Sequence, residues 1–193
     1  FATAVAPGSR IYEPEMLKDR EIAVTPNNGS HFTTLKMMEG FLAKEHIKTT
    51  NAGSMAKRIG ALSRGEVAAI SLMEPWISVA QKMGLRILME SHSTRSEAAG
   101  DDLDGPTLAK MFRAQAPAVE LIEKDPRPFA HYLAAETGGL LKPEELQTWR
   151  LLHAPPQPYT RERFDDTYNW TVGWNMTVPG ATYENTVDNR AWQ

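Results

Sequence analysis

Apolar and polar positions follow two different periods along the first half of the chain. Residues 21–25, EIAVT, form a short apolar run of the kind that makes a buried strand. From 30 to 44, Phe32, Leu35, Met38 and Leu42 recur near helical spacing, and Gly40 weakens the helix. HIKTTNAG, 46–53, reads as a strand ending in a turn. SMAKRIGALSRG, 54–65, reads as a short helix with a Ser N-cap and a closing Gly65. EVAAISLM, 66–73, is apolar enough for a strand buried on both faces. EPWISVAQKMG, 74–84, is a third helix, with Pro75 placed early where its missing N–H costs little. LRILMES, 85–91, is a fourth strand. Strand and helix alternate with short links, which predicts an α/β lobe around a parallel or mostly parallel sheet with helices on both faces.

After residue 93 the pattern changes. STRSEAAGDDLDGPT is polar and loop-like, and 106–124 reads as an amphipathic helix with a kink at Pro117. DPRPFAHYLAAETGG and KPEELQTWRLL read as two more helices, and HAPPQPYTRERFDD as irregular. The tail, 166–193, carries Trp170, Trp174, Tyr183 and Trp192. These helices need an apolar surface to cover, and the first lobe already has its own sheet. The second half thus reads as cladding for a second sheet that the chain does not contain.

Composition narrows the function classes. The net charge is -3, without the basic stripe of a nucleic-acid binder. There is no Cys, so the chain supplies no disulfide, zinc–thiolate site or Cys nucleophile. No apolar run reaches the roughly 20 residues that span a bilayer. The opening FATAVAPGSR lacks a charged n-region and a long h-region, and the first residue is not Met. The chain reads as a mature or processed product. The sequons at Asn28, Asn169 and Asn175 matter only under a glycosylating pathway.

Candidate chemistry gathers in three loops, 26–31, 51–54 and 73–76, which follow strands. In such sheets ligands collect at the C-terminal strand ends. In the first loop, Asn28, Gly29, Ser30 and His31 open a helix, whose N-terminal N–H groups and dipole attract anions. The alternative is a Ser N-cap after an Asn-Gly turn. His31 is either an acid–base group or hydrogen-bond donor near neutral pH, or a solvent-facing residue of a first turn; Phe32 is a wall or core. In the second loop, Asn51 can donate from its amide and Gly53 permits close approach, or Ser54 simply caps a helix. In the third, Glu74 is a ligand contact or a cap, and Trp76 stacks on a ring or packs. GDDLDG, 100–105, has only part of a calcium loop and reads as a solvated acidic turn. No metal site or cofactor motif is present, and His92 and His131 stand alone.

The order PEMLKDREIAV, GSHFTTLKMMEGFL, ALSRGEVAAISLMEPW, MGLRIL, followed by AQAPAVELIEKDPRPFAHYLAAETG, resembles the ABC-transporter solute-binding proteins of the aliphatic-sulfonate, taurine and nitrate group. That group includes thiamine-pyrimidine synthases and a sulfinate-cleaving desulfinase. The resemblance covers roughly residues 10–190. It implies a two-lobed, periplasmic-binding-protein-like fold. Residues 10–92 would be lobe two, and 93–193 a mainly helical return into lobe one, whose N-terminal part a companion chain could supply. It further implies a small polar, anionic or zwitterionic ligand in an interlobe cleft, an ABC permease as partner, and a periplasmic or secreted location. A Glu beside an anion site favours a ligand that also carries a cation, hydroxyl or heterocycle. An enzyme on the same scaffold is the second reading. It would use His31 and Glu74 with a nucleophile from another segment, in the cytoplasm or outside it.

Overall fold

A computed structural model of the chain describes residues 1–93, 96, 100, 102–177 and 179–192. The chain divides into two compact units. Unit 1 comprises Phe1–Thr94 and Arg127–Leu151, and unit 2 comprises Arg95–Pro126 and Leu152–Gln193.

Unit 1 is built on a five-stranded sheet. Its strands are β1 (Ala2–Val5), β2 (Glu21–Val24), β3 (Lys48–Asn51), β4 (Ala69–Leu72) and β5 (Arg86–Glu90), in the order β3-β2-β4-β1-β5. β2 runs parallel to β3 and β4, whereas β1 runs antiparallel to both β4 and β5. The sheet is therefore mixed, with its four predicted strands pointing one way. β1 is the strand that pattern reading missed. All four of its residues are buried, and it joins β4 to the edge strand β5.

Three helices follow the pattern of the sequence: α1 (Gly29–Met38), α2 (Met55–Ser63) and α3 (Trp76–Lys82). α1 stops at Met38, short of the predicted residue 44, and buries Ser30, Thr34, Leu35 and Met38. Phe32 and Leu42 stay half-buried. Ser54 accepts from the Lys57 N–H and caps α2 as its sequence suggests. Ile59, Leu62, Ile77 and Ala80 from α2 and α3 pack on Ala4, Ala23, Ile70 and Leu72 of the sheet in one apolar cluster. Burial of this kind is worth about 25 cal/mol per Å² of apolar surface, and it is what holds short helices in place.

Helix α4 (Gly105–Lys124) belongs to unit 2 and passes through Pro117 without ending. The chain then returns to unit 1 for α5 (Ala130–Ala135), whose Ala130 joins the apolar cluster with Leu141 and Leu146. Residues 142–152 do not form the predicted helix. They make two single 3-10 turns, Pro143–Glu145 and Thr148–Arg150. Pro143 begins the first turn, and the segment is held by side chains instead: Lys82 Nζ donates to the Leu140 carbonyl (3.0 Å) and to Glu145 Oε2 (2.7 Å), and the Gln147 N–H donates to Ser78 Oγ (2.9 Å).

In unit 2, α6 (Arg161–Gly173) starts inside the stretch predicted as irregular, capped by Thr160. α7 (Tyr183–Thr186) follows. Phe112 of α4 stacks on Trp192 with ring centres 5.4 Å apart, and Asn189 Nδ2 donates to the Tyr159 carbonyl and to Tyr183 Oη. Leu108 is the one hydrophobic residue fully buried in this unit among the described residues. Of the acidic run 100–105, Asp104 caps α4 by accepting from the Thr107 N–H, while Asp101 lies outside the described residues, as do five positions between 94 and 99 of the polar link. Among the described residues no helix is long and apolar enough to cross a membrane, and no group of His, Asp and Glu side chains is placed to hold a metal ion.

Candidate functional site

The parallel direction of β2, β3 and β4 brings three loops to one edge of the sheet, at the strands' C-terminal ends. They are 25–28, 52–54 and 73–75, with the start of β1 and the end of β5 beside them through the Ala2–Glu90 pair.

In the first loop Asn27 takes a left-handed conformation, φ 55°, which Asn tolerates better than most residues. This turns Asn28 into the N-cap of α1. Asn28 Oδ1 accepts from the Ser30 N–H at 2.9 Å and from Ser30 Oγ at 2.8 Å. The N–H groups of His31 and Phe32 both donate to the Asn28 carbonyl. Ser30 is buried, and its hydroxyl accepts from the Thr25 N–H at 3.0 Å. The cap is therefore Asn28, and Ser30 is a loop staple rather than a cap. The amides of residues 30–32 are already satisfied. Gly29 remains exposed at the helix start, with the Phe1 ring so close that an added Cβ would lie 3.0 Å from Phe1 Cζ.

His31 is half-buried and bridges two elements. Its Nδ1 accepts from the Asn27 N–H at 3.2 Å, and its Nε2 lies 3.2 Å from Thr49 Oγ1 on β3. Because Nδ1 accepts, the neutral ring carries its proton on Nε2 and donates to Thr49. Burial pushes its pKa below the usual 6.5, which favours that neutral form.

In the second loop Asn51 Oδ1 accepts from the Gly53 N–H at 2.9 Å, and Asn51 is exposed. Gly53 has φ +76°, the left-handed region that suits glycine. Its carbonyl accepts from Thr25 Oγ1 at 3.4 Å and from Arg58 Nε at 3.1 Å.

Arg58 is the residue that sequence reading passed over. It is 2% exposed and ties the first two loops to β4. Nη1 donates to the Ser71 carbonyl of β4 at 2.6 Å, and Nη2 donates to Thr25 Oγ1. Burial lowers its pKa from the ordinary guanidinium value. The one sequence signal was a charged residue at a position where α2 presents its apolar face, flanked by Ile59, Ala61 and Leu62.

The third loop turns its charge inward. Glu74 Oε2 accepts from the Ser78 N–H at 3.1 Å and from Ser78 Oγ at 2.9 Å, and Oε1 lies 3.5 Å from Arg150 Nη1. The Arg150 side chain is 6% exposed, and it also binds Glu90, at 2.8 Å, and Gln81 Oε1, at 2.9 Å. Burial pushes the Glu74 carboxyl above its usual range, opposed by the hydrogen bonds from Ser78 and by the Arg150 charge. Trp76 packs half-buried against the apolar cluster. The exposed tryptophan beside this network is Trp149, with the Arg150 guanidinium 4.1 Å from its ring centre. Nothing in the sequence pattern singled out Trp149 or Arg150.

Of the residues named from sequence, the fold thus brings Asn28, Gly29, Ser30, His31, Asn51, Gly53 and Glu74 to one edge. Asn51 and Gly29 are exposed, whereas Ser30, His31, Glu74 and both backbone groups of Gly53 are engaged with protein partners. Unit 2 holds a cavity of about 370 Å³ lined by Phe112, Arg113, Pro156 and Trp192, largely apolar.

No protein-family model and no curated protein matches the chain. Solved structures do. The alkanesulfonate-binding protein SsuA from Xanthomonas axonopodis pv. citri, bound to MOPS, matches with a TM-score of 0.69 at 20% identity, over 91% of this chain and 64% of that one. The periplasmic aliphatic sulphonate binding protein SsuA from Escherichia coli matches with a TM-score of 0.70 at 18% identity, over 97% and 65%. A mutant of DSZB in complex with biphenyl-2-sulfinic acid matches with a TM-score of 0.59 at 12% identity, over 98% and 74%. This chain therefore spans just under two thirds of the length of the two sulfonate-binding proteins. At these identities the likeness concerns fold. The α/β unit with its mostly parallel sheet, and the helical segments that follow it, have the periplasmic-binding-protein-like fold of SsuA-type aliphatic-sulfonate solute-binding proteins, as the residue resemblance implies.

Proposed function

We propose that this chain acts as a solute-binding protein of the ABC-importer type, working with a permease in the periplasm or outside the cell. Its ligand is a small polar molecule with an anionic head, held at the C-terminal edge of the unit 1 sheet. The observation that carries this reading is the stitching of loops 25–28 and 52–54 by Arg58. It gives an edge with a buried positive charge behind it and leaves the exposed Asn51 and Gly29 for a ligand. Two matched structures are of proteins named for sulfonate binding, which fits an anionic head. Acid–base catalysis by His31 and Glu74 is disfavoured, because both ring nitrogens of His31 and Glu74 Oε2 are hydrogen-bonded internally and the buried Glu74 Oε1 faces Arg150 at 3.5 Å.

Native mass spectrometry of the protein as purified from its source, paired with a denaturing spectrum, tests the reading. A captured mass of a few hundred daltons, lost on denaturation and identified as a small anion or zwitterion, is the expected result. Turnover of that molecule by the purified protein would overturn the reading in favour of an enzyme. An empty protein that also gives no calorimetric response to alkanesulfonates would overturn it altogether.

A further inference from the structure

The chain buries two guanidinium groups in unit 1 and treats them in opposite ways. Arg150 sits between the carboxylates of Glu74 and Glu90. Arg58, 2% exposed, bonds the Gly53 carbonyl, the Ser71 carbonyl and the Thr25 hydroxyl, all uncharged, and has no carboxylate partner among the described residues. A buried cation is ordinarily paired, because the low-dielectric interior strengthens its field and disfavours leaving it alone. Arginine remains charged even so, since its pKa begins far above neutrality.

The position of this cation is specific. Thr25 follows β2, Gly53 follows β3, and Ser71 lies near the end of β4, so the guanidinium sits at the C-terminal ends of these three strands, against the first two loops. Its three bonds also fix Thr25 against Gly53. Building on the proposed solute-binding function, we infer that Arg58 is the specificity-determining positioning residue of this site. Its unneutralised charge selects an anionic over a neutral ligand, and it acts through Thr25 and the Gly53 loop without touching the ligand. A plain structural staple would need the same hydrogen bonds but would not discriminate by charge.

The test compares methanesulfonate with dimethyl sulfone, its neutral isostere, by calorimetry on the wild type, Arg58→Met and Arg58→Lys. The wild type is expected to bind methanesulfonate at least about tenfold more tightly than the sulfone, in line with a charge-assisted preference. Arg58→Met should bring the two affinities to within about twofold, and Arg58→Lys should restore most of the preference. If Arg58→Met does not fold, Arg58→Gln, which keeps amide donors without the charge, carries the comparison. A preference that survives removal of the charge overturns the inference and reduces Arg58 to a staple. Equal or tighter binding of the sulfone by the wild type overturns it too, while leaving small-molecule binding in place. Binding of neither probe overturns the inference, and the captured mass in the native spectrum then decides the solute-binding reading separately.

Discussion

His31 shows how one side chain changes meaning once its neighbours are known. At a helix start with Gly29 and Ser30 it reads as a group offered to a ligand. In the fold it ties the Asn27 backbone to Thr49 on β3 through its two ring nitrogens. His31→Ala should therefore lower stability by about 1–2 kcal/mol, the worth of two hydrogen bonds, as read from urea unfolding at pH 7.5. The pH dependence follows from the lowered pKa. The unfolded state, titrating near 6.5, binds the proton more readily than the folded state. The stabilisation is thus complete above pH 6.5 and declines as pH falls through the folded-state value. Unfolding midpoints collected downward from pH 7.5 should drop for the wild type and drop less for His31→Ala. Parallel curves would show that the ring does not titrate against Asn27. The role of Ser30 was likewise hidden, because Ser and Asn both cap helices and the left-handed turn at Asn27 hands the cap to Asn28.

At the scale of elements, the cap of α1 and the anchoring of the return segment are the features open to test. Asn28→Ala should cost about 1 kcal/mol, the usual worth of an N-cap, and leave the Ser30 N–H unsatisfied; equilibrium unfolding measures it. The return segment 142–152 reads as helix in the sequence, yet it forms two 3-10 turns, with Ser78, Glu90 and Gln81 taking up its backbone and side chains. Arg150→Met removes the counter-charge of Glu74, whose side chain is 6% exposed. The expected loss is about 3 kcal/mol, typical of an orphaned buried charge, with a further rise in the Glu74 pKa. The loss should shrink at pH 4, where Glu74 is protonated. Equal losses at both pH values would assign the effect to packing alone.

At the scale of the whole molecule, the two units differ in how much they bury. In unit 1, β1, β2 and β4 supply residues of zero exposure, among them Ala2, Ala4, Ile22, Ala23, Ala69, Ile70 and Leu72. Unit 2 fully buries Leu108 alone among its described hydrophobic residues. Amide hydrogen exchange should accordingly be slowest in β1, β2 and β4 and faster throughout α4, α6 and α7, since opening energy tracks buried apolar contact. Equal protection in α4 and β4 would contradict that ordering. Within unit 2, α4 runs over 20 residues and buries Leu108.

The sequence by itself determined the alternation of strand and helix from 21 to 91, the mostly parallel sheet, the three loops at its C-terminal edge, and the absence of Cys chemistry. Those features depend on local periodicity, turn residues and composition, which a chain carries without knowledge of its partners. Only the tertiary structure decided that Ala2–Val5 enters the sheet antiparallel, that residues 127–151 pack back on unit 1, and that Arg150 neutralises Glu74. It alone placed Arg58 against Thr25, Gly53 and Ser71. Each of these involves contacts between residues distant in the sequence, such as Arg58 with Thr25 and Arg150 with Glu74. A charge in an apolar helix face says only that it must find partners; where those partners stand is set by how the elements pack.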